Sequence, residues 1–340
     1  MIRLSKNQSL ERLNTFGIDV NAKFFGEINY PEDLEDPNIY KHLIDKQFLT
    51  IGGGSNILFT KDFEGVVLHN KIMGKEIIAD NSSHTEVRFG AGENWHETVL
   101  WCLKNNFGGM ENLSLIPGSM GAAPIQNIGA YGQELQNIFV ELEAFHVEEK
   151  RFIKIHKSEM NFGYRSSIFK GSLKNKAIIT TVTLKLSKLN HHIKSSYASL
   201  ANYLKERGIN HPSIQDISSA VIAVRQSKLP NPKELGNAGS FFKNPVISVK
   251  QFEILLKSFS VIPHYILPDE SIKIPAAWLI ERTGWKNFRK NNFGTYPKQP
   301  LVLVNYGNSS GLEIKNLSLA IIESVKKKFN IELQAEVNIL

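Results

Sequence analysis

Apolar positions along this chain come in short runs through the first half and settle into a helical period in the second. Phe48–Ile51 and residues 57–59, 66–69 and 86–89 are apolar or β-branched stretches of strand length. Asn94, followed three residues later by Glu97, predicts a helix start. Trp95, Val99, Leu100 and Leu103 would line the inner face of that helix, and Gly108-Gly109 would stop it. Residues 139–147 and 151–155 predict a hairpin, and residues 177–186 a long strand. Strands this closely spaced leave no room for regular βαβ units, so the pattern predicts an α+β fold.

A polar stretch from 190 to 213, carrying Tyr197 and Tyr203, separates this half from a more helical one. Asp216 is positioned to cap a helix running to about Lys228, with Ile217, Val221 and Val224 inside and Pro230 beyond its end. Residues 274–283 have Pro275 at their start and Gly284 after their end, the asymmetry expected of a helix. Residues 300–306 read as a strand, and Leu317, Ile321, Val325 and Phe329 mark one face of a last long helix. From 331 to 340 apolar and polar residues alternate strictly, predicting a half-buried strand. No internal repeat is found.

The 340 residues suffice for two or three domains, and 42% hydrophobic with 21% charged residues is ordinary for a globular protein. The formal charge of +7 would suit an anionic ligand but is spread along the chain. Its densest cluster, Lys326-Lys-Lys328, falls at the end of the last helix, where it complements the dipole. No basic stripe with interleaved aromatics points to nucleic acid. The single cysteine, Cys102, excludes an intrachain disulfide, reads as a small buried apolar residue and fits a reducing, cytoplasmic compartment. The N-terminus lacks a signal-peptide core, and no apolar run approaches the ~18 residues of a membrane span, so no membrane insertion is expected. The ten histidines lack metal-ligand spacing, and no metal is expected.

Two glycine-rich segments carry the chemistry. In residues 116–132, Gly118, Gly121, Gly129 and Gly132 permit backbone angles other residues avoid, so that amide N–H groups can converge on an anion. Gln126 and Asn127 add donors and acceptors suited to a flat heterocycle. The second segment, Gly52-Gly-Gly-Ser-Asn56, follows an apolar run but has Ile57 where a dinucleotide fingerprint needs its third glycine. No P-loop is present either, so phosphates would be held by loop amides. Two such cradles suit a large cofactor with a diphosphate, such as FAD; tight turns without a ligand are the plain alternative. Arg165 stands between aromatics, a fork of donors suited to a carboxylate or simply a surface arginine. Ser240 lies on a glycine-rich turn without the elbow motif of an acyl-transfer nucleophile. Glu336 lies on the polar face of the closing strand, where a solvated carboxylate is the default.

Together these segments resemble the UDP-N-acetylenolpyruvoylglucosamine reductase family nearly end to end: residues 14–19, 52–56, 90–95, 116–132, 162–169, 228–232, 236–245 and Glu336. The insertion bearing Tyr197 looks like the longer subtype, in which a tyrosine-bearing loop covers the substrate. The resemblance implies an FAD-binding fold of the vanillyl-alcohol-oxidase/p-cresol-methylhydroxylase type in two subdomains, 1–70 and 71–190 with the strand 331–340 returning to it. A C-terminal α+β substrate domain, 214–330, would follow. It implies non-covalent FAD, NADPH as co-substrate, and UDP-N-acetylglucosamine enolpyruvate as substrate; separately, a monomer is expected.

Carried over residue by residue, the flavin-binding candidates are Gly52, Gly53, Gly54, Ser55, Asn56, Pro117, Gly118, Ser119, Gly121, Ala122, Ala123, Gln126, Asn127, Ile128 and Tyr164. Arg165 and Glu336 would bind and polarise the substrate carboxylate, and Ser240 would donate a proton to C2. Tyr197, Lys228, Asn244, Lys273 and Gln299 would hold the UDP-sugar. The chain departs from the family in its closing Gln-Ala-Glu336-Val-Asn, commonly Pro-Glu-Val-Arg, and in Met120, Ala122 and Ala123 of the flavin loop. The rival readings are a related FAD-dependent oxidase and a non-catalytic nucleotide-binding protein. The first would often tether its flavin through a histidine or cysteine, which neither loop carries; the second needs no Arg165, Ser240 and Glu336 together.

Overall fold

In the computed structural model, which describes residues 2–45 and 47–340, the apolar run at 177–186 becomes Ala177–Ser187, the central strand of a five-stranded antiparallel sheet. The neighbours of this strand are Phe139–His146 and His84–Gly90, with Arg151–His156 and Lys75–Asp80 at the edges. The central strand is buried along most of its length, with Thr180 and Thr183 enclosed among its isoleucines, valine and leucines and Lys185 exposed. Lys75–Asp80, by contrast, is exposed along its whole length. It shows no alternation, and the sequence pattern does not reveal it. A second sheet has the order Ser5–Ser9, Asn21–Ile28, Phe63–Asn70, Phe48–Ile51, and the last three strands run parallel. The helix Pro37–Asp45 supplies Ile39 and Leu43 to the core beneath it.

The helix expected after Asn94 is Trp95–Lys104, and the Asn94 side chain accepts from Glu97 N–H at 3.0 Å. Two details differ from expectation. Leu100 is 39% exposed and belongs to the outer face. The helix ends on Asn105, before the two glycines, and Asn106 takes the left-handed conformation with φ +57°. Gly108 instead pairs with Ser187 across a short bridge. Cys102 is buried with its Sγ 3.6 Å from Met110 Sδ, and burial pushes the thiol pKa up to about 12.

The polar stretch 190–213 contains a helix the sequence reading does not find, Ala198–Glu206. It buries Leu200 and Leu204 against Ile217, Val221 and Val224 of the next helix, Ile214–Lys228. Asp216 lies inside that helix rather than capping it. Its carboxylate accepts from Ser213 N–H at 2.9 Å while Ser213 Oγ accepts from Asp216 N–H at 3.1 Å, so the serine begins the helix and the aspartate closes the reciprocal bond.

The described residues divide into two units. One comprises 2–8, 21–54 and 63–227; the other comprises 9–20, 55–62 and 228–340. The second unit is built on an antiparallel sheet in the order Gly236–Ser240, Gln299–Asn305, Phe293–Tyr296, Arg289–Lys290. It also holds the helices Ala276–Arg282 and Gly311–Phe329. The long helix opens on a reciprocal Ser310–Glu313 cap and closes on Asn330 at φ +53°. Burial alternates over 331–334 as the sequence predicts but not at 335–336 or 339–340, and only Asn338–Ile339 joins a ladder, parallel to Ile57–Leu58. Ala335 makes a single bridge to Phe242.

Candidate functional site

In the first unit two glycine loops meet backbone to backbone. A Cβ on Gly53 would stand 3.1 Å from Gly118 Cα, and one on Gly52 would overlap Ser119 Oγ and come 2.6 Å from Ser119 Cβ. Glycine is required for this approach, because any side chain would force the loops apart. The second loop is pinned by main-chain bonds from a third stretch: Trp95 N–H donates to Gly118 O at 3.0 Å, Met120 N–H to Glu93 O at 2.8 Å, and Gly121 N–H to Ala91 O at 2.8 Å. Glu93 is itself held, with its carboxylate paired to Lys75 Nζ and accepting from Gly74 N–H at 2.9 Å. The sequence reading assigns Glu93 no role; its only signal is its place in the 90–95 motif.

Along this cradle Gly53, Pro117 and Ala122 are exposed and Gly52 and Gly118 partly so, while Gly54, Ser119, Gly121, Ala123 and Ile128 are buried. Backbone with so few intruding side chains is what a dinucleotide diphosphate requires. Residues Met120–Gln126 form a short 3-10 helix that Asn127 ends in the left-handed conformation, φ +43°. The Asn127 side chain is fully buried. Its Nδ2 donates to Glu134 Oε2 at 3.0 Å and to Gly163 O at 3.2 Å, and its Oδ1 accepts from Gln136 N–H at 3.0 Å. Both ends of that amide thus tie the loop together instead of facing a heterocycle. Gln126 is partly exposed.

Arg165, at φ +52°, lays its guanidinium over the same loop and donates from Nη2 to Gly129 O at 2.6 Å. The adjacent Tyr164 ring lies 5.3 Å from the guanidinium carbon and is 38% exposed. The fork therefore stands against the end of the glycine loop, held by a ring and a carbonyl. Tyr197 begins the helix Ala198–Glu206 and packs edge-on to Tyr131, ring centres 5.2 Å apart.

In the second unit the closing segment runs along the Ser240 strand. Lys243 N–H donates to Gln334 O at 2.9 Å and Glu336 N–H to Phe241 O at 2.8 Å. Glu336 thus lies opposite the residue that follows Ser240. Asn56 joins them, with Nδ2 donating to Glu336 O at 3.2 Å and its own carbonyl accepting from Asn338 N–H at 3.1 Å. Ser240 itself follows Gly239 at φ +69°, beyond an irregularity in the pairing with Gln299–Asn305. Ser240 and Glu336 are both partly exposed, as is Ser55.

The other expected substrate-holding residues are arranged around short elements of this unit. Asn244 Oδ1 accepts from Ala276 N–H at 2.9 Å at the start of a helix. Lys273 lies on the strand Ile272–Lys273 with Nζ 5.7 Å over the Tyr265 ring. Gln299 begins the strand Gln299–Asn305, and Lys228 is exposed at the end of its helix. Among the described residues no cluster of histidine, cysteine and carboxylates could hold a metal.

Comparison with known proteins finds two family models along the chain. Residues 41–148 match the model of an FAD-binding domain, and residues 231–340 match that of the UDP-N-acetylenolpyruvoylglucosamine reductase C-terminal domain. The chain is 45% identical to the UDP-N-acetylenolpyruvoylglucosamine reductase of Flavobacterium johnsoniae, covering 100% of both chains. It is also 45% identical to that of Amoebophilus asiaticus, over 99% of both. The crystal structure of the Thermus caldophilus reductase covers 100% of this chain and 99% of its own with a TM-score of 0.69; at 20% identity it speaks to the fold alone.

Proposed function

The chain belongs to the UDP-N-acetylenolpyruvoylglucosamine reductase family, and from that premise we propose that it reduces the enolpyruvyl ether of UDP-N-acetylglucosamine enolpyruvate to UDP-N-acetylmuramate for peptidoglycan synthesis. The observation that best supports a mechanism is the pairing of residues 334–336 with 241–243, which gives Ser240 and Glu336 neighbouring backbone positions. Bound FAD would supply the hydride-transfer chemistry between NADPH and C3 of the enolpyruvyl group. Hydride arrival at C3 leaves an electron pair at C2, delocalised into the carboxylate. Arg165 and Glu336 bind and polarise that carboxylate, so donors oriented in advance stabilise the charge as it develops. Ser240 delivers the proton to C2. A serine hydroxyl is a weak acid, but a developing carbanion is a strong base, and the transfer is short. Among the described residues the Ser240 hydroxyl makes no hydrogen bond that would compete.

The cradle of 52–54, 91–95 and 117–121 fits the diphosphate of FAD, with Asn127 tying the loop from within; Ser55, Asn56, Gln126 and Tyr164 are the further candidates for contact with FAD. Tyr197, Lys228, Asn244, Lys273 and Gln299 hold the UDP-sugar. No described helix is long and apolar enough to cross a membrane. We read the enzyme as a cytoplasmic monomer.

The test is one anaerobic spectrum. The purified protein should be yellow, bleach on addition of NADPH and regain its colour with the enolpyruvyl UDP-sugar. Recovery only on admitting air would favour an oxidase, and a colourless protein that takes up no FAD would overturn the reading. Truncating Tyr197 to alanine should weaken UDP-sugar binding by about tenfold and leave FAD retention unchanged. Equal losses of both would remove its role as a cover for the substrate.

A further inference from the structure

The helix Ile214–Lys228 carries an arginine that the family correspondence leaves without a role. Arg225 is seven residues, two turns, beyond Ser218, so both project from one face of the helix. That face meets the entrance to the flavin loop, because Ser218 Oγ lies 2.8 Å from Ser114 Oγ. The next residue, Leu115, has φ +58° and donates its N–H to His96 Nδ1 at 3.0 Å. Tyr131, from the far end of the same loop, packs against the cluster that the helices Ala198–Glu206 and Ile214–Lys228 bury between them. The helix that bears Arg225 therefore packs near both ends of this loop, where His96 and Tyr131 stand.

All three present donors without acceptors. The Arg225 Nε is enclosed and has no hydrogen-bond partner, and among the described residues no carboxylate pairs with the guanidinium. His96 accepts at Nδ1, so the neutral ring carries its proton on Nε2. That proton and the Tyr131 hydroxyl make no hydrogen bond among the described residues. Burial holds the His96 pKa low, with Glu97 opposing and Arg225 adding to the effect. Burial raises that of Tyr131, with Arg225 opposing. Arg225 is partly exposed as a residue, but its enclosed Nε–H is a charged donor that is costly to leave unmet.

We propose that Arg225, with Tyr131 and His96, forms an anion subsite that receives a phosphate of a bound nucleotide diphosphate. The proposal rests on the reductase reading above, which supplies two such ligands, the diphosphate of FAD and that of the UDP-sugar. The planar guanidinium forks onto phosphate oxygens, and the phenol and imidazole donate at its flanks. Tyr197, edge-on to Tyr131, links this subsite to the loop expected to cover the substrate.

The experiment uses the holoenzyme and Arg225→Gln. UDP and uridine are titrated by the change in flavin absorbance, and FAD release is followed by ultrafiltration. Loss of about 10–100-fold in UDP affinity, with uridine unchanged, supports the subsite and assigns it to the UDP-sugar. A comparable loss of FAD retention, with the UDP-to-uridine ratio unchanged, supports it and assigns it to the cofactor. UDP, uridine and FAD all within twofold of the parent, or UDP and uridine weakened equally, overturns it. Should Arg225→Gln fail to melt cooperatively, Arg225→Lys keeps the charge without the fork, and the same ratio is read with a smaller loss expected. A parent protein that binds FAD but no UDP would instead sink the reductase reading, while the FAD arm still decides the subsite.

Discussion

Replacing Ser240 with alanine is expected to slow the return of flavin colour on mixing NADPH-bleached enzyme with substrate by about 1,000-fold, while bleaching by NADPH keeps its parental rate. The asymmetry follows from where the hydroxyl acts. A proton donor to C2 matters only after hydride has reached C3, and the half-reaction with NADPH never meets it. Serine to alanine removes one oxygen from a partly exposed position and leaves the backbone free to keep its pairing with Val302. Folding should therefore survive, as a melting curve would verify. Rapid mixing with each partner separates the steps. Equal slowing of both would show that Ser240 shapes the site without donating, and an unchanged second step would pass the proton to another group.

Gly52→Ala is expected to yield protein that purifies nearly colourless. Its methyl group would overlap Ser119 Oγ and come 2.6 Å from Ser119 Cβ, and the second of these cannot be relieved by a rotamer change. The loops must separate, at a cost of about 2 kcal/mol, enough to weaken FAD binding by ~30-fold. Because strain and ligand loss share one cause, Ser119→Gly added to Gly52→Ala should restore part of the FAD content. FAD per chain and the melting temperature check both variants. Full flavin content in Gly52→Ala would mean that the close approach of the loops is not what holds the cofactor.

What the sequence displays and what it hides follow from burial. Phe48–Ile51 and Ala177–Ser187 are legible because their apolar and β-branched side chains suit a packed strand. Lys75–Asp80 and Ala198–Glu206 are not, since the first is fully exposed and the second buries only Leu200 and Leu204. The glycine loops are visible as composition, yet nothing in their spacing says that 52–53 lies against 118–119. Asn127 resembles a ligand-reading amide, and its use as a tie inside the loop appears only once Glu134, Gln136 and Gly163 are in place. The approach of Glu336 to Ser240 joins residues almost a hundred apart, so only a family likeness could suggest it. Arg225 went unmarked because a single arginine on an apolar helix ordinarily extends its charge to solvent.

The pairing of Asn338–Ile339 with Ile57–Leu58 has a consequence for biogenesis. Asn56 and Glu336 are 280 positions apart, so on a ribosome residues 55–62 emerge long before the segment that covers them. For most of synthesis Ile57, Leu58 and Phe59, all buried in the finished protein, have no native partner from the closing segment. Closing so large a loop is entropically slow, and exposed apolar strand is what chaperones bind and aggregates recruit. Production of this protein should therefore depend more on the rate of late folding and on chaperone supply than its finished stability suggests.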